Sequence, residues 1–339
     1  LAGHDDYHPI SPDHILAMMS RQQALVFQPG DQYLYSNTAY MLLAQVIERV
    51  GDKSLGEMTR EHIFEPLGME SSLMYENLEE IIPSRATGYG RDADGRLRIV
   101  HNYNFDVVGD GQLYTTMEDL LRWDNYLHGT EKPAIYPLML TEGGLNNGDP
   151  IGYAQGIRLH EYRRLRTVGH GGSSWGFRTE LVRFVEPSLS IAVSCNADYA
   201  KPGELAHRVA DHYLAGQLGP ESDYKSPDAS EQGYGTFHEP PVLTSDELGG
   251  FSGRFYSAEL DATYHFTVVD SGLMLRIGQE LPLNVVPLAN DLFEFQFRPQ
   301  GWSDPQMVSL EFNRNDSGAV TGFGLSSGTE RNIVFERYH

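Results

Sequence analysis

The strongest constraint on this chain is a change of texture near residue 215. Before it, apolar residues recur at helical spacing and in two strand-like runs. After it, the pattern alternates with a period of two to the end of the chain. Residues 216–243, GQLGPESDYKSPDASEQGYGTFHEPPVL, are rich in Gly, Pro and Ser and carry no periodicity, as expected of a linker. The sequence therefore reads as a mixed domain over 1–217, a linker over 218–245 and an all-β domain over 246–339.

In the first domain the clearest helix is expected from Thr38 to Val50. It has Ala39, Leu42, Leu43, Val46, Ile47 and Val50 on its inward face and Gly51 as its stop. A second helix is expected near 117–127 behind a capping box from Thr116 to Asp119, with Leu120, Leu121 and Leu127 inward. A third, GELAHRVADHYLAG, places Leu205, Val209 and Tyr213 on one stripe. RTELVRFVEPSLSIAVSCN reads as two strands around a Glu-Pro-Ser turn. Strands leading into a closing helix, with other helices earlier, predict an α/β layer. In the second domain, RFYSAELDATYHFTVVDSGLMLRI and the runs after it alternate around Asp/Asn/Ser-Gly turns, which fits a small antiparallel barrel or sandwich.

Composition excludes several functions. There are 47 acidic against 25 basic residues, a formal charge of −22, and a phosphate backbone would be repelled by that field, so no nucleic-acid partner is expected. Cys195 is the single cysteine, which rules out disulfides and four-cysteine metal sites within the chain. A lone Cys on an apolar strand reads as packing. No apolar run approaches the length of a membrane span.

Tyr35-Ser36-Asn37 opens the first helix. A tyrosine serves as a base near neutral pH only if a nearby cation stabilises its phenolate, because its reference pKa is about 10. An Asn two residues on can hold a substrate amide, or can simply cap the helix. Tyr75-Glu76-Asn77 repeats the pattern with no evident function. In VGHGGSSWGF, Gly171 and Gly172 would let the backbone approach a substrate. The Ser173 N–H could then point at an oxyanion, and the His170 imidazole would carry or donate a proton. A Gly-rich strand entry with a surface histidine is the plainer alternative.

Three further motifs are set aside. Gly172-Ser173-Ser174-Trp175-Gly176 matches G-x-S-x-G, but the strand-like FRTELVRF follows it where a nucleophile elbow needs a helix. Ser222-Asp223-Tyr224-Lys225 is the chain's one Ser-x-x-Lys and lies in the linker, where no helix holds it. His4-Asp5-Asp6-Tyr7-His8 has metal-binding residue types, yet a solvated loop accounts for it, and no metal is assigned.

Together these stretches resemble the class C β-lactamase and penicillin-binding-protein-like serine hydrolases, the group that includes D-aminopeptidases, DD-carboxypeptidases and esterases. FQPGDQYLYSNTAYMLLAQVIERVG is similar to the family's Tyr-x-Asn block, and IFEPLGMESS and GDGQLYTTMEDLLRWDNYL to the segments after it. His170-Gly171-Gly172 matches the block that is Lys-Thr-Gly in β-lactamases and often His-x-Gly in peptidases and esterases. FSGRFYSAELDATYHFTVV onward is similar to the barrel appended to many D-aminopeptidase-like members.

The resemblance implies a β-lactamase-type antiparallel sheet flanked by helices, plus a lipocalin-like barrel. It also implies acylation of a serine followed by hydrolysis, with no metal or organic cofactor. Tyr35 would be the general base, Asn37 would bind the substrate's amide side, His170 would line the opposite wall, and the Ser173 N–H would form half of the oxyanion hole. Histidine at 170 favours peptides, amides or esters over efficient β-lactam turnover, so the expected partner is a small peptide, ester or β-lactam substrate.

One departure matters. In the family a Ser-x-x-Lys precedes Tyr-x-Asn by several dozen residues, together with the first strands of the sheet. Here 34 residues precede Tyr35 and none is a Ser followed three on by Lys. The expectation is a nucleophile on an N-terminal segment outside this chain. The alternative is a non-catalytic relative that binds a peptide or cell-wall fragment. A sheet without its first strands would expose an edge and part of its core.

Overall fold

The computed structural model describes residue 2, then residues 9–92, 94–129, 132–221, 241–278, 281–297, 306–328 and 330–338. Both the Ser222–Lys225 motif and the 4–8 cluster lie outside the described residues. The first part begins with α1 (Pro12–Ser20), α2 (Asn37–Gly51) and α3 (Leu55–Thr59), which runs through a π-turn (Arg60–Phe64) into α4 (Glu65–Leu67). Short β1 (Leu73–Met74), β2 (Gly88–Arg91), β3 (Leu97–Val100) and β4 (Leu113–Tyr114) follow, then α5 (Met117–His128) and α6 (Tyr136–Met139). A four-stranded antiparallel sheet comes next: β5 (Arg158–Tyr162), β6 (Leu165–Ser174), β7 (Phe177–Phe184) and β8 (Leu189–Cys195), in that spatial order. Helix α7 (Pro202–Tyr213) closes this part.

The sheet has a helix on each face. Val182 and Phe184 of β7 and Ile191 of β8 point to one side, where Ala206 and Ala210 of α7 are small enough to let the helix backbone come close. On the other side Arg183 and Ser190, cross-strand partners, reach Asp124 of α5. The Ser190 hydroxyl donates to Asp124 Oδ1 at 2.8 Å and Arg183 Nη1 to Ser190 Oγ at 2.9 Å. The expected Glu-Pro-Ser turn joins β7 to β8, with Ser188 at φ +55°.

Several helix faces differ from expectation. In α2 the buried residues are Met41 and Ala44, whereas Leu43, Val46, Ile47 and Val50 are 54%, 56%, 41% and 83% exposed. The period was legible, but the apolar stripe has nothing against it among the described residues. The helix stops at Asp52, in the left-handed region at φ +53°, and not at Gly51. In α7 the stripe of Leu205, Val209 and Tyr213 is likewise exposed. In α5 Leu121 is exposed while Asp119 and Leu127 are buried. Thr116 caps α5, but Asp119 does not return the bond. Its carboxylate accepts instead from Ser71 N, the Ser72 hydroxyl and Arg122. Strand β8 has no second strand partner over 189–195 among the described residues, although Tyr89 of β2 bonds to Asn196 and Asp198 just beyond it.

After α8 (Ser245–Gly249), eight strands close into an antiparallel barrel. They are β9 (Gly253–Ser257), β10 (Ala262–Val269), β11 (Gly272–Ile277), β12 (Leu283–Ala289), β13 (Leu292–Phe297), β14 (Gln306–Arg314), β15 (Val320–Ser327) and β16 (Glu330–Tyr338), with β9 sealing β16 to β10. The alternation that left a barrel or a sandwich open thus resolves to a barrel. Its interior is occupied by aromatic rings: Phe323 stacks on Phe335 at 4.6 Å and meets Phe312, Phe255 and Phe266 at 5.2, 5.3 and 5.6 Å. Helix α1 links the two parts. Met18 packs against the barrel core and also against Ile15, Met41 and Val107, and Arg21 Nε donates to the Glu259 carbonyl at 3.1 Å.

Phe323→Ala is expected to cost about 3–5 kcal/mol, because a fully buried ring with five aromatic neighbours leaves a cavity that cannot collapse. Urea unfolding followed by near-ultraviolet circular dichroism would show the loss as a lowered midpoint.

Candidate active site

The N-terminal end of α2 and the strand β6 build the site. Ser36 is the N-cap of α2, with extended backbone (φ −135°, ψ 112°) and its hydroxyl accepting from Ala39 N at 3.2 Å. That corrects the reading of Asn37 as a cap. Asn37 is the first helical residue, exposed, and its side chain has no hydrogen bond among the described residues. Because Ser36 takes the capping position, Tyr35 sits just outside the helix, and its half-buried ring lies 5.8 Å from the ring of His170. The look-alike Tyr75 is buried and donates to the Leu78 carbonyl at 2.8 Å, a packing role.

His170 lies in the middle of β6 opposite Leu181 of β7. It faces away from the α7 side, since Gly169, its neighbour, pairs with Val182 on that side. The strand turns at Trp175 (φ +46°) and Gly176 (φ +84°), a two-residue hairpin with Ser174 paired to Phe177. The G-x-S-x-G match is therefore strand–turn–strand. Gly171 and Gly172 are glycine for a reason the sequence did not show. A Cβ at 172 would lie 2.4 Å from Thr179 Oγ1, and one at 171 would lie 2.8 Å from Glu180 Oε2. Side chains of β7 thus crowd both positions, through the movable end of Glu180 and the Thr179 hydroxyl. Ser173, exposed, pairs with Arg178.

Between these two elements stands a residue that the sequence reading passed over. The Tyr153 ring is 6.0 Å from Tyr35 and 5.8 Å from His170, and its hydroxyl is 3.1 Å from His170 Nε2 and 2.9 Å from the Tyr40 hydroxyl. On its other side, His170 Nδ1 is 2.6 Å from the Gly171 carbonyl. The available signal was Gly152-Tyr153-Ala154-Gln155-Gly156, a tyrosine between two glycines that both take positive φ (66° and 74°). Tyr40 was hidden as an ordinary helix residue. Asp110 was also missed. It is brought to α2 by Gly109, which sits at φ +113° where a Cβ would lie 2.5 Å from the Tyr40 carbonyl.

The electrostatics restrict what each group can do. Burial, and then the neighbouring Tyr40 and Asp110, push the Tyr35 phenol above its ordinary pKa, against a weaker opposing pull from Arg158. Tyr35 therefore holds its proton in this environment, and a base at this position needs a further cation. Lys53 is committed to Glu61, Lys201 pairs with Glu204, and Lys132 lies over the Tyr136 ring. Burial holds His170 below the usual imidazole pKa, so it is neutral at physiological pH. Burial also lifts Asp110 to about 6, and its Oδ1 has no hydrogen-bond partner among the described residues. Cys195 is a free thiol on β8, half-buried. No cluster of three or more metal-ligating side chains occurs among the described residues.

The antiparallel sheet with a helix on each face makes a β-lactamase-type body, and the closed barrel follows it. The family model described as Beta-lactamase matches residues 2–215, and the chain belongs to that family. It is 28% identical over 204 residues to a D-aminopeptidase of Brucella anthropi, covering 58% of this chain and 38% of that protein. To penicillin-binding protein 4* of Bacillus subtilis it is 27% identical over 234 residues, 62% and 51% of the two chains. A D-aminopeptidase of Cereibacter sphaeroides is 24% identical over 268 residues, 78% and 44%. The chain thus spans about half or less of the length of these relatives. Among solved structures, the octameric penicillin-binding protein homologue from Pyrococcus abyssi matches with a TM-score of 0.54 at 22% identity, over 96% of this chain and 70% of that one. A D-stereospecific amidohydrolase from Streptomyces matches with a TM-score of 0.53 at 20% identity, over 62% and 63%.

A pH titration by histidine NMR should find His170 titrating below the ordinary imidazole range and His128 titrating at about 4. His128 is held neutral by burial and by Arg183, beside the Tyr136 hydroxyl at 2.8 Å. Because the folded pKa of His128 is depressed, its contribution to stability is complete above the unfolded value near 6.5. It is lost as pH falls towards about 4.

Proposed function

We propose that this chain is part of a serine hydrolase that works through an acyl-enzyme on amide or ester substrates, as a D-amino-acid peptidase, amidase or esterase. Residues 1–217 are the hydrolase unit, 218–245 the linker and 246–339 the appended barrel. The observation that carries the reading is the convergence of Tyr35 and His170, from distant parts of the sequence, to 5.8 Å between ring centroids. The family relatives named D-aminopeptidase point to the substrate class.

In this scheme a serine oxygen attacks the carbonyl carbon and its proton passes through Tyr35 to the leaving amine or alcohol. Water then cleaves the ester so formed. Asn37, exposed at the helix start, holds the substrate's amide side. His170 forms the opposite wall above Gly171 and Gly172, and the Ser173 N–H contributes to the oxyanion site.

The nucleophile and its lysine belong, in this proposal, to a segment encoded upstream. Three observations support that. Burial, with Tyr40 and Asp110, holds the proton on Tyr35, and Arg158 does not offset them. The apolar stripes of α2 and α7 are uncovered, and β8 is a sheet edge over 189–195. Covering the remaining exposed area of each aliphatic side chain on α2 would contribute roughly 1 kcal/mol, so burial there would favour a docking segment. The raised Tyr35 pKa also favours a second reading, a cleft that binds a peptide or cell-wall fragment without turnover.

The test is the product of the complete gene. It should hydrolyse D-aminoacyl p-nitroanilides in preference to the L-forms, and Tyr35→Phe should lower kcat by about 10²- to 10⁴-fold. A full-length product without a Ser-x-x-Lys that binds such ligands and never turns them over would establish the second reading.

A further inference from the structure

Of the ring and hydroxyl contacts in the cleft, those around Tyr153 reach furthest. The chain Tyr40 Oη–Tyr153 Oη–His170 Nε2 runs through contacts of 2.9 and 3.1 Å, and His170 Nδ1 faces the Gly171 carbonyl at 2.6 Å. A carbonyl oxygen only accepts, so a lone pair on Nδ1 at that distance would be repelled. Nδ1 therefore carries the proton and donates to Gly171. Nε2 is then the lone-pair nitrogen, and the one group within hydrogen-bonding distance of it among the described residues is the Tyr153 hydroxyl, which must donate. Tyr153 in turn is free to accept from Tyr40.

We infer that Tyr153, backed by Tyr40, is a positioning residue that engages Nε2 of His170 and fixes the imidazole as an Nδ1–H tautomer with neither nitrogen free to the cleft. This deepens the proposed function and rests on His170 being a wall of that site. It also changes what His170 does there. The imidazole is a rigid, neutral dipole and does not trade protons with substrate directly. A proton reaching Nε2 arrives through the Tyr153 hydroxyl, and when it does the two phenols reverse their hydrogen bonds, Tyr153 accepting from Nε2–H and donating to Tyr40.

The other groups around the ring are consistent with that state. Tyr35 lies 5.8 Å away on the α2 side, Arg158 of β5 disfavours a positive charge on the imidazole, and Leu181 stands beside it on β7. Glu180, the nearest carboxylate along β7, pairs with Gly171 and so lies on the opposite face of the sheet. Tyr153 itself is buried, and burial together with Tyr40 keeps its phenol protonated. It is therefore a donor over the whole working range of pH.

The experiment is long-range proton–nitrogen correlation NMR of histidine side chains in this chain, for the wild type, Tyr153→Phe and Tyr40→Phe. The wild type should show His170 protonated at Nδ1, with Nε2 shifted as a hydrogen-bonded acceptor. In Tyr153→Phe, Nε2 should move to the shift of an unbonded acceptor. The proton affinity of the ring should fall about fivefold, because the charge-assisted bond that the protonated Nε2–H donates to Tyr153 is about twice as strong as the one the neutral ring accepts from it. Tyr40→Phe should move both readouts the same way by less. A wild type protonated at Nε2 overturns the inference, as does a folded Tyr153→Phe with Nε2 and titration unchanged. Should Tyr153→Phe not fold, an unmoved His170 in Tyr40→Phe overturns it. These spectra read the imidazole and not turnover. Their failure removes the positioning role alone, whereas a full-length product that neither binds nor hydrolyses substrate removes the proposed function alone.

Discussion

The cleft depends on how the start of α2 is held against the middle of β6. Two contacts do this. The Tyr40 hydroxyl reaches that of Tyr153 at 2.9 Å, and the Tyr153 hydroxyl reaches His170 Nε2 at 3.1 Å. One side of this bridge carries Tyr35 and Asn37, the other the Gly-rich segment of β6. Both are short, directional links across a half-buried space, where a neutral hydrogen bond is stronger than in water and a missing partner costs more. The sheet behind them is fixed separately, by α7 on one face and the Asp124–Arg183–Ser190 network on the other.

Burial sets the proton balance of both groups. It raises proton affinity at Tyr35, helped by Tyr40 and Asp110, and lowers it at His170, helped by Arg158. A tyrosine that keeps its proton beside a histidine that refuses one is a poor proton-transfer pair by itself. It becomes serviceable once a cation stands near the phenol, which is what a lysine from a docking segment would supply. The exposed stripes on α2 and α7 and the β8 edge mark where such a segment would gain most from burial.

Much of the fold was legible in the sequence because periodicity and turn chemistry are local. The α2 period, the strands either side of Glu186-Pro187-Ser188 and the alternation of the barrel strands all survive in the structure. What the period cannot say is which neighbour covers a stripe. Leu43, Val46, Ile47 and Val50 were assigned inward and are exposed, since burial is decided by tertiary partners. The cap was misplaced by one residue because Ser36 and Asn37 are both good caps and only the backbone angles choose between them. Of the candidate site residues, Tyr35 and His170 were singled out through spacing and family likeness, and their rings come to 5.8 Å. Tyr153 and Tyr40 were not, because their importance lies in hydroxyl contacts between residues far apart in the chain.

The central proposal is that the nucleophilic serine and its lysine come from a segment outside residues 1–339. Intact-mass spectrometry after treatment with a fluorophosphonate tests it most directly. The account predicts that this chain stays at its 38.0 kDa mass, and that the longer gene product gains a single probe mass on a serine upstream of Leu1. One probe mass added to this chain, mapped to a serine within residues 1–339, would contradict it.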